Sequence, residues 1–315
     1  MSYTPEYFWK NFRLGTELQV SGSFIYNALY FFDQMECFNN EEEIFEFLYS
    51  LSVGIERLEK IAIILLEHDK STNQEEFEKT LITHSHSDLI DRIKKNRQLN
   101  LGKCHNKFIQ LLSNFYKSMR YGRFNITSVY EPNQDALKFI EFLQDELNIE
   151  IKTNMILATA NNDRIKNFIG KTVGKIATQL YEIVKDEAGR LGTFTHELRY
   201  GSKPYKIFMC EEFTFHKENS LKKEIIVSLI NGNEDDRFIK FAKQIEPLPF
   251  DDVTHEYVKY LINPQGNLSL TEELESIYED NFDKERMSMV EVIGNVNVSF
   301  GEDDEDEDFF YCIKS

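Results

Sequence analysis

From Arg92 to Tyr130 the chain contains no aspartate or glutamate, yet it places Arg92, Lys94, Lys95, Arg97, Lys103, Lys107, Lys117, Arg120 and Arg123 there, with His105 among them. The whole chain carries a formal charge of -18. A cationic stretch in an acidic protein points to a surface reserved for a polyanion, of which a nucleic-acid phosphate backbone is the commonest. Tyr116, Tyr121 and Phe124 are interleaved with Lys117, Arg120 and Arg123. Aromatic rings beside cations could stack bases next to phosphate contacts, which is how single-stranded RNA is held. The competing reading is a solvated helix face whose cations pair with acids elsewhere in the fold, its aromatics serving the core. His84, His86 and Asp88 also invite a metal site. An H-x-H pair off a strand splays its rings, however, and no cysteine supports them, so a capping and hydrogen-bonding turn is the expectation and no metal or cofactor is assigned.

The elements that would carry these residues read as helices. Pro is rare (6 in 315 residues), which favours long helices over a loop-rich β fold. Apolar residues at three-and-four spacing mark helices over 15–36 and 41–68. The latter runs through Ile44, Phe47, Leu48, Leu51, Ile55, Leu58, Ala62 and Leu65. Glu41, Glu42 and Glu43 lie in its first turn, where the helix dipole favours negative charge. Gly54 falls inside that helix and marks a close helix crossing. Further helices are expected over 75–82, 85–96, 101–121, 133–148 and 163–190. Beyond residue 200 the pattern loosens. The runs 206–216 and 289–300 alternate as strands do, with short helices near 220–230, 235–244, 254–262 and 270–280.

The expected fold class is therefore mainly α. A helical bundle over 1–200 is followed by a smaller mixed α/β or helical region over 201–300 and an acidic, unstructured tail over 301–315. The run EDDEDED (302–308) repels itself and buries nothing apolar. That tail could solubilise the protein, compete for the basic surface, or dock a protein partner. Cys37, Cys104, Cys210 and Cys312 stand singly, without zinc-ligand spacing, as in a reduced compartment. The N-terminus shows no basic region followed by an apolar run. The longest apolar stretch, Ile61–Leu66, is too short to span a bilayer, so a cytoplasmic protein without a membrane partner is expected. No P-loop, GxGxxG, HExxH or GxSxG motif is present in the sequence.

Three motifs follow one another in the helical part: Glu56-Arg57-Leu58-Glu59-Lys60, then His86-Ser87-Asp88-Leu89, then Arg120-Tyr121-Gly122-Arg123. In order and spacing they resemble the HEPN superfamily of all-helical domains, over about residues 15–130 and extending to about 200. The resemblance implies an RNA-engaging protein, in its catalytic form a metal-independent endoribonuclease of a toxin or antiviral defence system, often with a composite site across a homodimer. Its non-catalytic form is an interaction module that binds a protein partner or nucleotide and regulates it. The family's catalytic signature is an arginine followed, after four to six residues, by a histidine. The chain has this spacing once, at Arg190 and His196, with Leu191 where the family usually has a polar residue. In such a site the histidine serves as general acid or base, while the arginine binds the scissile phosphate in a bidentate fork. Arg199 and Lys203 would extend the positive track.

Overall fold

The computed structural model describes residues 4–130, 133–154, 157–232, 235–250, 254–263, 268–295, 297, 298 and 300. The acidic tail lies outside them. Two compact units form, Met1–Phe215 and His216 onward.

In the first unit, α1 (Pro5–Phe8) and a π-helical turn (Trp9–Arg13) lead into α2 (Leu14–Gln34), and α3 (Glu41–Glu67) follows. The short α4 (Gln74–Thr80) and α5 (His86–Lys94) precede α6 (Lys103–Asn114), which continues through a π-helical turn (Phe115–Met119) into α7 (Arg120–Gly122). The bundle is completed by α8 (Gln134–Leu147), α9 (Asp163–Leu191) and α10 (Lys203–Phe208). Among the described residues no helix is long and apolar enough to cross a membrane.

The centre of the unit is α3, which packs against α2, α5 and α9 and is buried on almost every side. Phe32 of α2, Phe47 of α3 and Phe139 of α8 meet there, with ring centroids 4.8 to 5.9 Å apart. Burying each such side chain contributes about 1.5–3 kcal/mol. Gly54 lets α2 and α3 approach closely. A Cβ there would lie 2.7 Å from Ile25 Cγ1 and 3.1 Å from the Ser21 carbonyl oxygen. Ser21 Oγ donates across the same crossing to the Gly54 carbonyl at 2.7 Å.

Among the described residues there is no strand; the one β-type contact is an isolated antiparallel bridge between Cys37 and Ala160. The alternation over 206–216 has a helical cause. Ser202 caps α10 by accepting from the Tyr205 amide, and Pro204 supplies the fixed φ that a first helical turn needs. Ile207 and Phe208 then turn inward from that helix. Glu211, at φ 52°, redirects the chain, and Phe213 comes to rest over Gly174 of α9. The apolar residues are thus covered by helices, and there is no neighbouring strand to pair with.

The second unit comprises α11 (His216–Ile230), α12 (Arg237–Ala242), α13 (Thr254–Ile262), α14 (Leu268–Asp280) and α15 (Lys284–Val290). The expected strand over 289–300 instead begins as the end of α15 and runs into turns. Gly294 stands in those turns with a φ of 75°, a left-handed conformation that breaks any extended run. Over its described residues the C-terminal region is therefore helical rather than mixed.

Candidate functional site

Glu56, Glu59 and Lys60 lie three and four residues apart on α3 and so share one face. Facing them is the turn that starts α5. Ser85 is its N-cap and accepts from the Asp88 amide, as short hydroxylic residues do at helix starts. The Ser85 amide donates to Thr83 Oγ1 at 3.2 Å. This cap places His84 just outside the helix and His86 at its first position. The two rings then fall on successive carboxylates. His84 Nδ1 lies 2.9 Å from Glu56 Oε2, and His86 Nδ1 lies 2.9 Å from Glu59 Oε2. Lys60 Nζ donates to the other Glu56 oxygen at 2.6 Å. Each histidine is thus committed to its own glutamate. No group of three side chains able to hold a metal lies among the described residues.

The inner and outer rungs differ in environment. Glu59 and His86 are wholly buried. Burial pushes the Glu59 carboxyl up, while the His86 ring works to lower it, the usual contest between desolvation and a nearby cationic partner. Glu59 Oε1 and His86 Nε2 have no hydrogen-bond partner among the described residues. The outer His84 side chain is half exposed.

The third side of the site comes from the end of α6. A π-helical turn spans Phe115–Met119; it inserts an extra residue per turn, a feature common at functional sites. Phe115 and Tyr116 are buried there. The Tyr116 ring meets His84 edge-on, with centroids 5.0 Å apart. Arg120 lies with its guanidinium carbon 4.1 Å from the Tyr116 ring centre and 4.4 Å from that of Tyr121. Tyr49 of α3 stands on the same side, at 5.8 Å from Arg120. Arg120 Nη2 donates to Tyr121 Oη at 2.9 Å, and its Nε is buried with no hydrogen-bond partner among the described residues. Burial raises the Tyr116 hydroxyl, and the nearby Glu56 charge adds to that rise, since both disfavour a phenolate. The three motifs are thereby gathered into one Lys60–Glu56–His84–Tyr116–Arg120 array. Lys60 and the half-exposed His84 ring bond the Glu56 carboxylate, while Arg120 lies on the rings of Tyr116 and Tyr121, an arrangement suited to an anion or to an aromatic ring stacked on Arg120.

The rest of the basic stretch is largely satisfied within the fold. Arg92 forks onto Glu67 at 2.6 to 3.0 Å and also reaches Thr80. Arg97 reaches Glu187 of α9 through Nε at 2.9 Å. Lys107 pairs with Glu146 at 2.5 Å, and Arg123 forks onto buried Asp135 at 2.9 and 3.0 Å. Lys94 lies 3.5 Å from Asp91, and Lys117 lies 3.9 Å from Asp88. Lys95 and Lys103 are exposed. The acids missing from this stretch of sequence are supplied by α3, α5, α8 and α9.

Arg190 and His196 sit where α9 ends at Gly192. The φ of that glycine is 66°, the left-handed cap that commonly closes a helix. Arg190 Nε donates to Glu187 Oε2 at 2.6 Å, so Glu187 holds both Arg97 and Arg190. The His196 carbonyl accepts from Tyr181 Oη at 3.0 Å, and the ring Nδ1 is buried without a hydrogen-bond partner among the described residues. No hydrogen bond joins Arg190 to His196 among the described residues. Arg199 is exposed, and Lys203 is held by Asn27 Oδ1 at 2.7 Å over the Tyr26 ring. Sequence reasoning misses the Glu56–His84 pair. Its only trace there is the match between two glutamates three apart on a helix and two histidines two apart at a helix start.

Comparison of the chain with protein-family models, with curated proteins and with solved structures finds no match.

Proposed function

We propose that the first unit is an HEPN-like helical module that engages RNA. The observation that carries this reading is the Lys60–Glu56–His84–Tyr116–Arg120 array. Residues from three motifs separated by up to 64 positions in sequence converge on one partly exposed patch where Arg120 lies on aromatic rings. The phosphate contact falls to Arg120, the cation of the patch with no carboxylate partner among the described residues, and base stacking to Tyr49 and Tyr121. The experiment is a gel-shift titration of the full chain against fluorescent single-stranded RNA. Arg120→Ala weakens binding several-fold; unchanged affinity rejects the reading.

The enzymatic form of the proposal assigns metal-independent cleavage to Arg190 and His196. The rival, a non-catalytic module that binds a protein partner or nucleotide, is favoured by one observation. Arg92, Arg97, Lys107 and Arg123 are held by carboxylates of the protein itself. An RNA-independent partner captured through the Arg120 patch would support that rival.

A further inference from the structure

The second unit holds a cavity of about 490 Å³. Sites for small molecules fall in the same size range. Its walls come from one face of each of two helices. Tyr257 and Tyr260 stand three apart on α13, while Leu274, Glu275 and Tyr278 lie on α14 at the spacing that shares a helix face. Phe250 closes one side, its ring 5.4 Å from that of Tyr257. Phe250, Tyr257, Tyr260, Tyr278, Thr271 and Glu275 are thus among the residues lining a cavity whose surface is largely apolar.

The charge on one wall, α14, is of one sign. Between Leu268 and Asp280, α14 carries Glu272, Glu273, Glu275, Glu279 and Asp280 and no lysine or arginine. Lys259 of α13 is paired with Glu256 at 2.7 Å and does not line the cavity. An anion entering here would meet Glu275 and the acidic helix. A primary ammonium would give up its water hydrogen bonds to a lining that returns few. A quaternary ammonium needs no acceptor, because its charge is spread over methyl groups. Those groups can lie on ring faces while Glu275 supplies the counter-charge.

We propose that this cavity binds an organic quaternary ammonium cation. The inference is independent of the RNA reading of the first unit. The test is isothermal titration of the full chain with butyrylcholine and with its uncharged isostere, 3,3-dimethylbutyl butyrate. The two ligands share shape and apolar area and differ in charge. The cation is expected to bind at least about tenfold tighter. Glu275→Gln is expected to bring the two ligands within about threefold of each other. Tyr260→Leu is expected to weaken the cation more than the ester, with circular dichroism confirming that both variants are folded. Equal affinity of the wild type for the two ligands would make the site a neutral apolar cavity and overturn the proposal. So would binding of neither ligand, or an undiminished preference in folded Glu275→Gln.

Discussion

Glu59 and His86 meet at 2.9 Å in a place that no solvent reaches, linking the middle of α3 to the first turn of α5. Removing either partner strands the other. His86→Leu is expected to cost about 1–3 kcal/mol, the penalty of a buried polar group left unsatisfied, measured by urea denaturation at neutral pH. The Glu59 carboxyl is held above its ordinary value by burial, so the folded state keeps a proton that the unfolded chain releases. The stability that this protonation contributes is full below about pH 4.5 and declines as pH rises through the folded value. Glu59→Gln should therefore gain on the wild type as pH rises above that ordinary value. A pH-independent difference between the two would contradict this account.

Gly54→Ala should destabilise the bundle, although alanine is the better helix former by about 1 kcal/mol. The added methyl would sit 2.7 Å from Ile25 Cγ1 and 3.0 Å from the Ile25 amide nitrogen, and the backbone cannot rotate away. Overpacking of this kind costs about 1–3 kcal/mol. A thermal melt showing an unchanged or raised Tm would refute the tight crossing.

Arg120 and Arg97 should respond differently to replacement by alanine. Arg120 lies on the Tyr116 ring, with no carboxylate partner among the described residues. Arg120→Ala should lower the slope of log affinity for RNA against log salt by about 0.7, the share of one single-strand phosphate contact. Arg97 is bound to Glu187, so Arg97→Ala should leave that slope unchanged and reduce stability instead. The same slope change in both variants would show that the basic stretch acts as one undivided surface.

Glu187 is almost entirely buried between Arg97 and Arg190. Burial alone would raise its carboxyl, but hydrogen bonds from Arg97 and then Arg190 outweigh it, and the pKa is lowered, because both favour the charged form. A lowered folded value means that the unfolded chain takes up the proton first as pH falls. The pair's contribution is thus present above about pH 4.5 and is lost as pH falls through the lower folded value. Glu187→Gln should be less stable than the wild type at neutral pH, and the gap should close on acidification. A gap that stays constant down into the acid range would exclude the carboxylate as its source.

The cleavage proposed for Arg190 and His196 should proceed in EDTA and leave 2′,3′-cyclic phosphate ends. A general acid or base contributes typically about 10²–10⁴-fold. His196→Ala should therefore remove detectable cleavage of total RNA while leaving gel-shift affinity nearly intact. Activity that persists in His196→Ala, or that needs Mg²⁺, would end the assignment. No cleavage by the wild type on any RNA tested would favour the non-catalytic module.

The long helices of the first unit, from α2 to α9, were legible in the sequence because they carry their own local instructions. Three-and-four spacing marks the buried face of α3, Ser85 caps α5, and Gly192 ends α9 in the left-handed region. The crossing at Gly54 was legible too, since a glycine inside a long amphipathic helix has little other use. The runs over 206–216 and 289–300 misled because apolar alternation is also produced by short capped helices and turns. Only the partner surface decides between them, and here that surface is helical. The sequence could show that cations crowd between Arg92 and Arg123, but not where their acids would come from. Glu67, Glu146 and Glu187 are brought to them by separate helices, over separations that no local rule records. Likewise, the sequence held His84 and Glu56 as unrelated residues 28 positions apart. They became one site because α3 and the start of α5 pack face to face, and side-chain chemistry at that range is set by helix packing rather than by spacing.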